Sequence, residues 1–132
     1  MTDVKWYKGI VQKGDKQGRT IGFPTVNLDP LLIDPHTKKG VYKVLVLFDN
    51  KTYIGALYFG LRMVKKEQHD VLEIYILDFK EEIYGKKILF CIGNYIRKPL
   101  NFNTLYQLQN QLKEDINTIK HLGGMRLVNK TT

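Results

Sequence analysis

Two neutral oxygen-bearing side chains, Thr25 and Asn27, stand two residues apart in the segment Gly22-Phe23-Pro24-Thr25-Val26-Asn27. In an extended chain side chains alternate, so Thr25 and Asn27 share one face and Val26 points to the other, toward a core. A pair of neutral oxygens suits a hard cation such as Mg²⁺, which keeps waters and shares itself with substrate phosphates. An ordinary turn and strand edge accounts for the same two residues. Upstream, Gly14, Gly18 and Gly22 punctuate a stretch that also carries Lys13, Lys16 and Arg19. Free main-chain N–H groups and cations in such a loop can surround a phosphate chain. No GxxxxGK[ST] pattern is present, so the loop is not of the Walker type.

Glu73 lies in Val71-Leu72-Glu73-Ile74-Tyr75-Ile76-Leu77, where Leu72, Ile74 and Ile76 form one face. Glu73 falls on the other face with Val71 and Tyr75. A solvated strand face would explain it. A general base fixed near a metal, taking a hydroxyl proton as that oxygen attacks phosphorus, would explain it equally. Arg97 precedes Lys98-Pro99 and is expected in a loop, as a surface residue or as a contact to a phosphate or other ligand group. The three histidines, His36, His69 and His121, have no metal-ligand spacing and receive no role.

The elements that must hold these groups are mostly strands. Strand character spans Val4 to Gln12, Gly40 to Phe48, Thr52 to Gly60, Val71 to Phe79 and Lys87 to Ile92, with a turn at Asp49-Asn50. Leu105, Leu108, Leu112, Ile116 and Ile119 then recur at spacings of three and four, which is helical. Thr104 and Gln107 form a capping box at its start. The expected fold is a mainly β antiparallel barrel braced by a C-terminal amphipathic helix over about residues 104–121, with a loosely held tail over 122–132.

Composition narrows the class. At 132 residues the chain is expected to be one domain, 1–132, able to bury a core without disulfides or structural zinc. No apolar run is long enough to cross a bilayer as a helix, and no secretory signal is read at the N-terminus. Cys91 is the only cysteine. These features predict a cytoplasmic protein. The net charge of +8 favours anionic ligands. The lysine pairs Lys38-Lys39, Lys65-Lys66 and Lys86-Lys87 are scattered and are read as solvated surface.

Taken in order, GIVQKGDKQGRTIGFPTVNL, KKGVYKV, LEIYILDFKEEIYGKKI and IRKPLNFNTLYQLQNQLKEDI resemble the riboflavin kinase family from about Lys8 to Ile116. The most specific piece is Gly22 to Asn27, similar to the family's G-[FI]-P-T-A-N motif with Val26 in place of alanine. The second is Glu73 followed downstream by Tyr84-Gly85. The resemblance implies a six-stranded Greek-key barrel with a C-terminal helix, and transfer of the γ-phosphate of ATP to riboflavin to give FMN. It implies Thr25 and Asn27 at Mg²⁺ (or Mn²⁺ or Zn²⁺) bound to the nucleotide, and Glu73 as the base at the ribityl 5′-hydroxyl. Gly14, Lys16, Gly18 and Arg19 would cover the phosphates of ATP, and Arg97 would stand near the flavin.

Leu61-Arg62-Met63-Val64 departs from a Pro-Thr-Phe-like segment common in the family, which leaves open a flavin- or nucleotide-binding barrel without turnover. No adenylyltransferase domain is read, so the expected product is FMN and not FAD. Binding of single-stranded nucleic acid ranks last, since the basic residues form no stripe and no RNP-like motif occurs. The expected partners are riboflavin and ATP, with no nucleic acid and no membrane, acting on a monomer.

Overall fold

The computed structural model describes residues 4–13, 22–64 and 67–122. Its elements in chain order are β1 (Tyr7–Ile10), β2 (Val26–Leu28), a 3₁₀ turn (Pro30–Leu32), β3 (Gly40–Phe48), β4 (Lys51–Val64), β5 (Glu67–Ile76), β6 (Lys87–Arg97) and the helix α1 (Leu105–His121). Six antiparallel strands form one sheet in the order β1-β6-β3-β4-β5-β2. The two outer strands approach through a single bridge, in which the Gln12 N–H donates to the Asn27 carbonyl at 2.7 Å. The sheet is thus a nearly closed barrel, which leaves little exposed edge. β3, β4 and β5 are successive neighbours and β6 returns beside β3, the Greek-key arrangement.

Alternation makes the inside. Val44, Val46, Leu57, Phe59, Leu72, Ile74, Ile76, Ile88 and Phe90 all fall below 4% exposure and pack as one cluster. Val26 packs against that cluster from β2, as its place between Thr25 and Asn27 predicts. The β3–β4 hairpin turns through Asp49 and Asn50, both at positive φ (51° and 63°). Two such residues form a tight turn whose twist matches the strands it joins. At the helix start the Gln107 N–H donates to Thr104 Oγ1 at 3.1 Å, while Gln107 Oε1 accepts from the Asn103 N–H at 2.9 Å. The reciprocal bond of the cap therefore lands one residue earlier than the expected box.

Several bounds differ from the sequence expectation. β1 covers only Tyr7–Ile10 within the predicted Val4 to Gln12. β5 ends at Ile76 and not Phe79, because Asp78 adopts a left-handed φ of 59°. Phe79 instead meets Phe48 and Tyr53 edge-on, with centroids 5.8 and 5.1 Å away. β4 continues past Gly60 to Val64 because β5 begins at Glu67 and pairs with that extension. β6 runs beyond Ile92 to Arg97, passing two register shifts against β3. Such bulges absorb an extra residue and interrupt the alternation that marks a strand. Arg97 is therefore the last residue of a strand and does not lie in a loop.

Candidate functional site

Antiparallel register decides which side chains share a face. Asn27 on β2 stands directly opposite Glu73 on β5, and Tyr58 on β4 stands opposite Glu73 on its other side. Directly opposed residues of an antiparallel pair project from the same face. Since Leu72 and Ile74 fill the barrel interior, Glu73 projects from the outer surface, yet it is only 4% exposed. The Arg62 guanidinium lies over its carboxylate, and the residue lines a cavity on this side of the barrel.

That cavity, about 290 Å³, is floored by Thr25, Ala56, Tyr58, Glu73 and Tyr75 from the barrel and roofed by Leu100 to Phe102, Leu108 and Leu112 from the segment before α1 and from α1 itself. It lies at the lower end of the roughly 300–1,000 Å³ common for small-molecule pockets, and mixes apolar walls with a few polar groups in the usual way. A second cavity of about 300 Å³ is lined by Val11, Pro24, Thr25, Phe79, Lys80 and Tyr84 among others. Thr25 borders both.

Local backbone explains how Thr25 reaches this place. Gly22 sits at φ 89°, a left-handed value that favours glycine, and it turns the chain into the extended Phe23-Pro24-Thr25 run. Phe23 then packs edge-on against Tyr75, centroids 5.4 Å apart. Beside the second cavity, Gly85 at φ 79° makes the Tyr84-Gly85 turn, and its N–H donates to the Val11 carbonyl at 2.8 Å. Lys13 stands 5.7 Å from the Tyr84 ring centroid.

Ion pairs complete the cavity under α1. Arg62 donates from Nη1 to Glu73 Oε2 at 2.7 Å and from Nη2 to Oε1 at 2.5 Å. Arg97 donates from Nε to Asp115 Oδ1 and from Nη2 to Oδ2, both at 2.8 Å, and Gln111 Nε2 adds a 3.1 Å bond to Oδ1. Asp115, on α1, is 2% exposed. Burial raises the pKa of the Tyr58 hydroxyl; Arg62 and Arg97 oppose that rise, while Glu73 and Asp70 add to it. The hydroxyl thus stays protonated and donates to the Leu61 carbonyl at 2.9 Å.

The structure thus brings Thr25, Glu73 and Arg97 to one cavity, with Asn27 across the strand from Glu73. Gly14, Lys16, Gly18 and Arg19 lie outside the described residues. Sequence reasoning missed Tyr58, the pairing partner Arg62, and Asp115. Asp115 had a signal: it stands on the buried face of α1 with Leu112 and Ile119, at spacings of three and four. Of the lysine pairs, Lys39 bonds Asp70 at 2.9 Å and Lys38 lies 4.4 Å from the Tyr95 ring centroid, so that pair is engaged and not merely solvated.

For a divalent cation, the donors at hand are Thr25 and Asn27, with the Glu73 carboxylate opposite Asn27. Among the described residues no cluster of three or more His, Cys, Asp or Glu could hold a metal. A hard ion that takes most of its oxygens from phosphates and water fits such a sparse set; a cation needing a full protein cage does not.

The fold and the site together define a nearly closed Greek-key barrel with a mixed polar and apolar cavity under its C-terminal helix. The riboflavin kinase family model matches residues 4–122. The chain belongs to the riboflavin kinase family. It is 39% identical over 112 residues to the bifunctional riboflavin kinase/FMN adenylyltransferase of Listeria monocytogenes, covering 82% of this chain and 35% of that protein. It is 36% identical over 112 residues to the RNA-binding riboflavin kinase RibR of Bacillus subtilis, covering 84% of this chain and 48% of that one. The chain therefore spans about a third to a half of these relatives. The crystal structure of riboflavin kinase from Trypanosoma brucei shares the fold, with a TM-score of 0.58 at 21% identity over 87% of this chain and 76% of that one.

Proposed function

We propose that the chain transfers the γ-phosphate of ATP to the ribityl 5′-hydroxyl of riboflavin, giving FMN and ADP. A single observation carries the proposal: Glu73, almost excluded from water, shares one cavity with Thr25 and faces Asn27 across adjacent strands. Family membership and identities of 36–39% over most of the chain support the same activity.

In this proposal riboflavin occupies the cavity under α1, its ring between Phe23 and the apolar side chains of that helix. The nucleotide occupies the second, beside Lys13 and Tyr84, with Gly14, Lys16, Gly18 and Arg19 over its phosphates. Thr25, bordering both cavities, stands where the two substrates would meet. Its hydroxyl and the Asn27 amide oxygen would hold Mg²⁺, or Mn²⁺ or Zn²⁺ in its place, and the ion would neutralise charge on the phosphate chain. Glu73 accepts the proton of the 5′-hydroxyl as that oxygen attacks phosphorus in line with the departing ADP. No covalent enzyme intermediate is needed; positioning and charge neutralisation supply the rate. Arg97, committed to Asp115, acts on the flavin by holding the roof of its cavity.

Incubating purified protein with ATP, Mg²⁺ and riboflavin and separating the products by chromatography tests the proposal. FMN should accumulate in proportion to enzyme and time. Flavin binding without FMN would instead identify a barrel that binds but does not turn over. Thr25→Ala is expected to raise the Mg²⁺ concentration at half-maximal rate by on the order of tenfold, from loss of one ligand oxygen. A Mg²⁺ titration that overlays the wild type would remove Thr25 from the metal-nucleotide site.

A further inference from the structure

Arg62 stands on β4 four residues beyond Tyr58, on the same face, with Gly60 between them. A Cβ on Gly60 would lie 2.7 Å from the Tyr58 hydroxyl, so a side chain at 60 would crowd the space beside the cavity. The Arg62 guanidinium meets both carboxylate oxygens of Glu73 through two N–H groups, at 2.7 and 2.5 Å, with the two side chains 25% and 6% exposed. A planar fork holding both oxygens fixes the plane of the carboxylate as well as its position, which a single hydrogen bond cannot do. A carboxylate has about four acceptor positions, so a two-bond fork does not by itself exhaust them.

We propose that Arg62 is a positioning residue for phosphoryl transfer, holding the Glu73 carboxylate in the plane from which it meets the attacking hydroxyl. The inference rests on the kinase function proposed above. A general base must sit about 2.6–3.2 Å from the proton-bearing oxygen, and that geometry must exist before the reaction. Without the fork, the flexible glutamate side chain samples other rotamers, and turnover falls while both substrates still bind.

The test compares kcat and both KM values for wild type, Arg62→Met, Arg62→Lys and Arg62→Gly. For Arg62→Met, kcat should fall on the order of 10–100-fold, since misplacing a reacting group by about 1 Å costs as much, and the KM values for ATP and riboflavin should stay close to wild type. Arg62→Lys should recover only a minor part of the loss, because an ammonium is a point charge and cannot bind both oxygens in one plane. Added ethylguanidinium should restore turnover to Arg62→Gly and leave Arg62→Met unchanged.

A wild-type kcat in Arg62→Met, a loss carried by KM, or no rescue of a folded Arg62→Gly would overturn the inference. If the methionine and glycine variants do not fold, Arg62→Lys decides alone, and a wild-type kcat there overturns it. A wild type that makes no FMN removes the kinase function and this inference with it. A wild type that turns over beside an equally fast Arg62→Met removes only the role of Arg62.

Discussion

Glu73→Gln is expected to lower FMN formation by about 10²–10⁴-fold, the usual contribution of a positioned general base. That corresponds to about 2.7–5.5 kcal/mol of transition-state stabilisation. The amide keeps the size of the side chain and one acceptor for Arg62, so the cavity should keep its shape. Riboflavin binding, followed by quenching of flavin fluorescence, and nucleotide affinity should both stay within a few-fold of wild type. The loss should appear in a single turnover, which isolates the chemical step from product release. A glutamine variant that forms FMN at the wild-type rate would exclude Glu73 as the base.

The second large effect concerns the roof of the cavity. Arg97→Met removes a guanidinium that meets both oxygens of Asp115, a group 2% exposed. The aspartate keeps the 3.1 Å bond from Gln111 but loses its charged partner. Breaking a buried pair from one side costs about 3–5 kcal/mol, because the remaining charge stays out of water without compensation. For a domain of this size the melting temperature should fall on the order of 10–20 °C. Riboflavin affinity should weaken with it, since Leu108, Leu112 and Asp115 of the same helix wall the cavity. The double variant Arg97→Met, Asp115→Leu should recover much of the lost stability, because apolar replacement of both partners leaves no stranded charge. A single variant that melts with the wild type would show that the pair does not hold α1.

Much of the frame was legible in the sequence because alternation and helical spacing are local signals. Leu72, Ile74 and Ile76 announced the buried face of β5, and with it the side from which Glu73 projects. Gly22 announced a turn and Thr25 a place beyond it. The bulged end of β6 was not legible, since its register shifts disrupt the pattern that marks a strand. Nor were the pairs Arg62–Glu73 and Arg97–Asp115, which join residues 11 and 18 positions apart. Such pairs depend on register and on helix docking, both set by the folded barrel. The burial of Glu73 is of the same kind: the strand pattern gives its direction, but the folded barrel brings Arg62 over its carboxylate.

Determining the structure of the protein with riboflavin, ADP and Mg²⁺ bound is the most direct check. The ribityl 5′-oxygen should lie about 2.6–3.2 Å from a Glu73 carboxylate oxygen, within hydrogen-bonding reach of the base, with the flavin ring under α1 and the diphosphate beside Thr25. A flavin seated elsewhere, or one whose 5′-oxygen points away from Glu73 with the diphosphate remote from Thr25 and Asn27, would contradict the proposed chemistry.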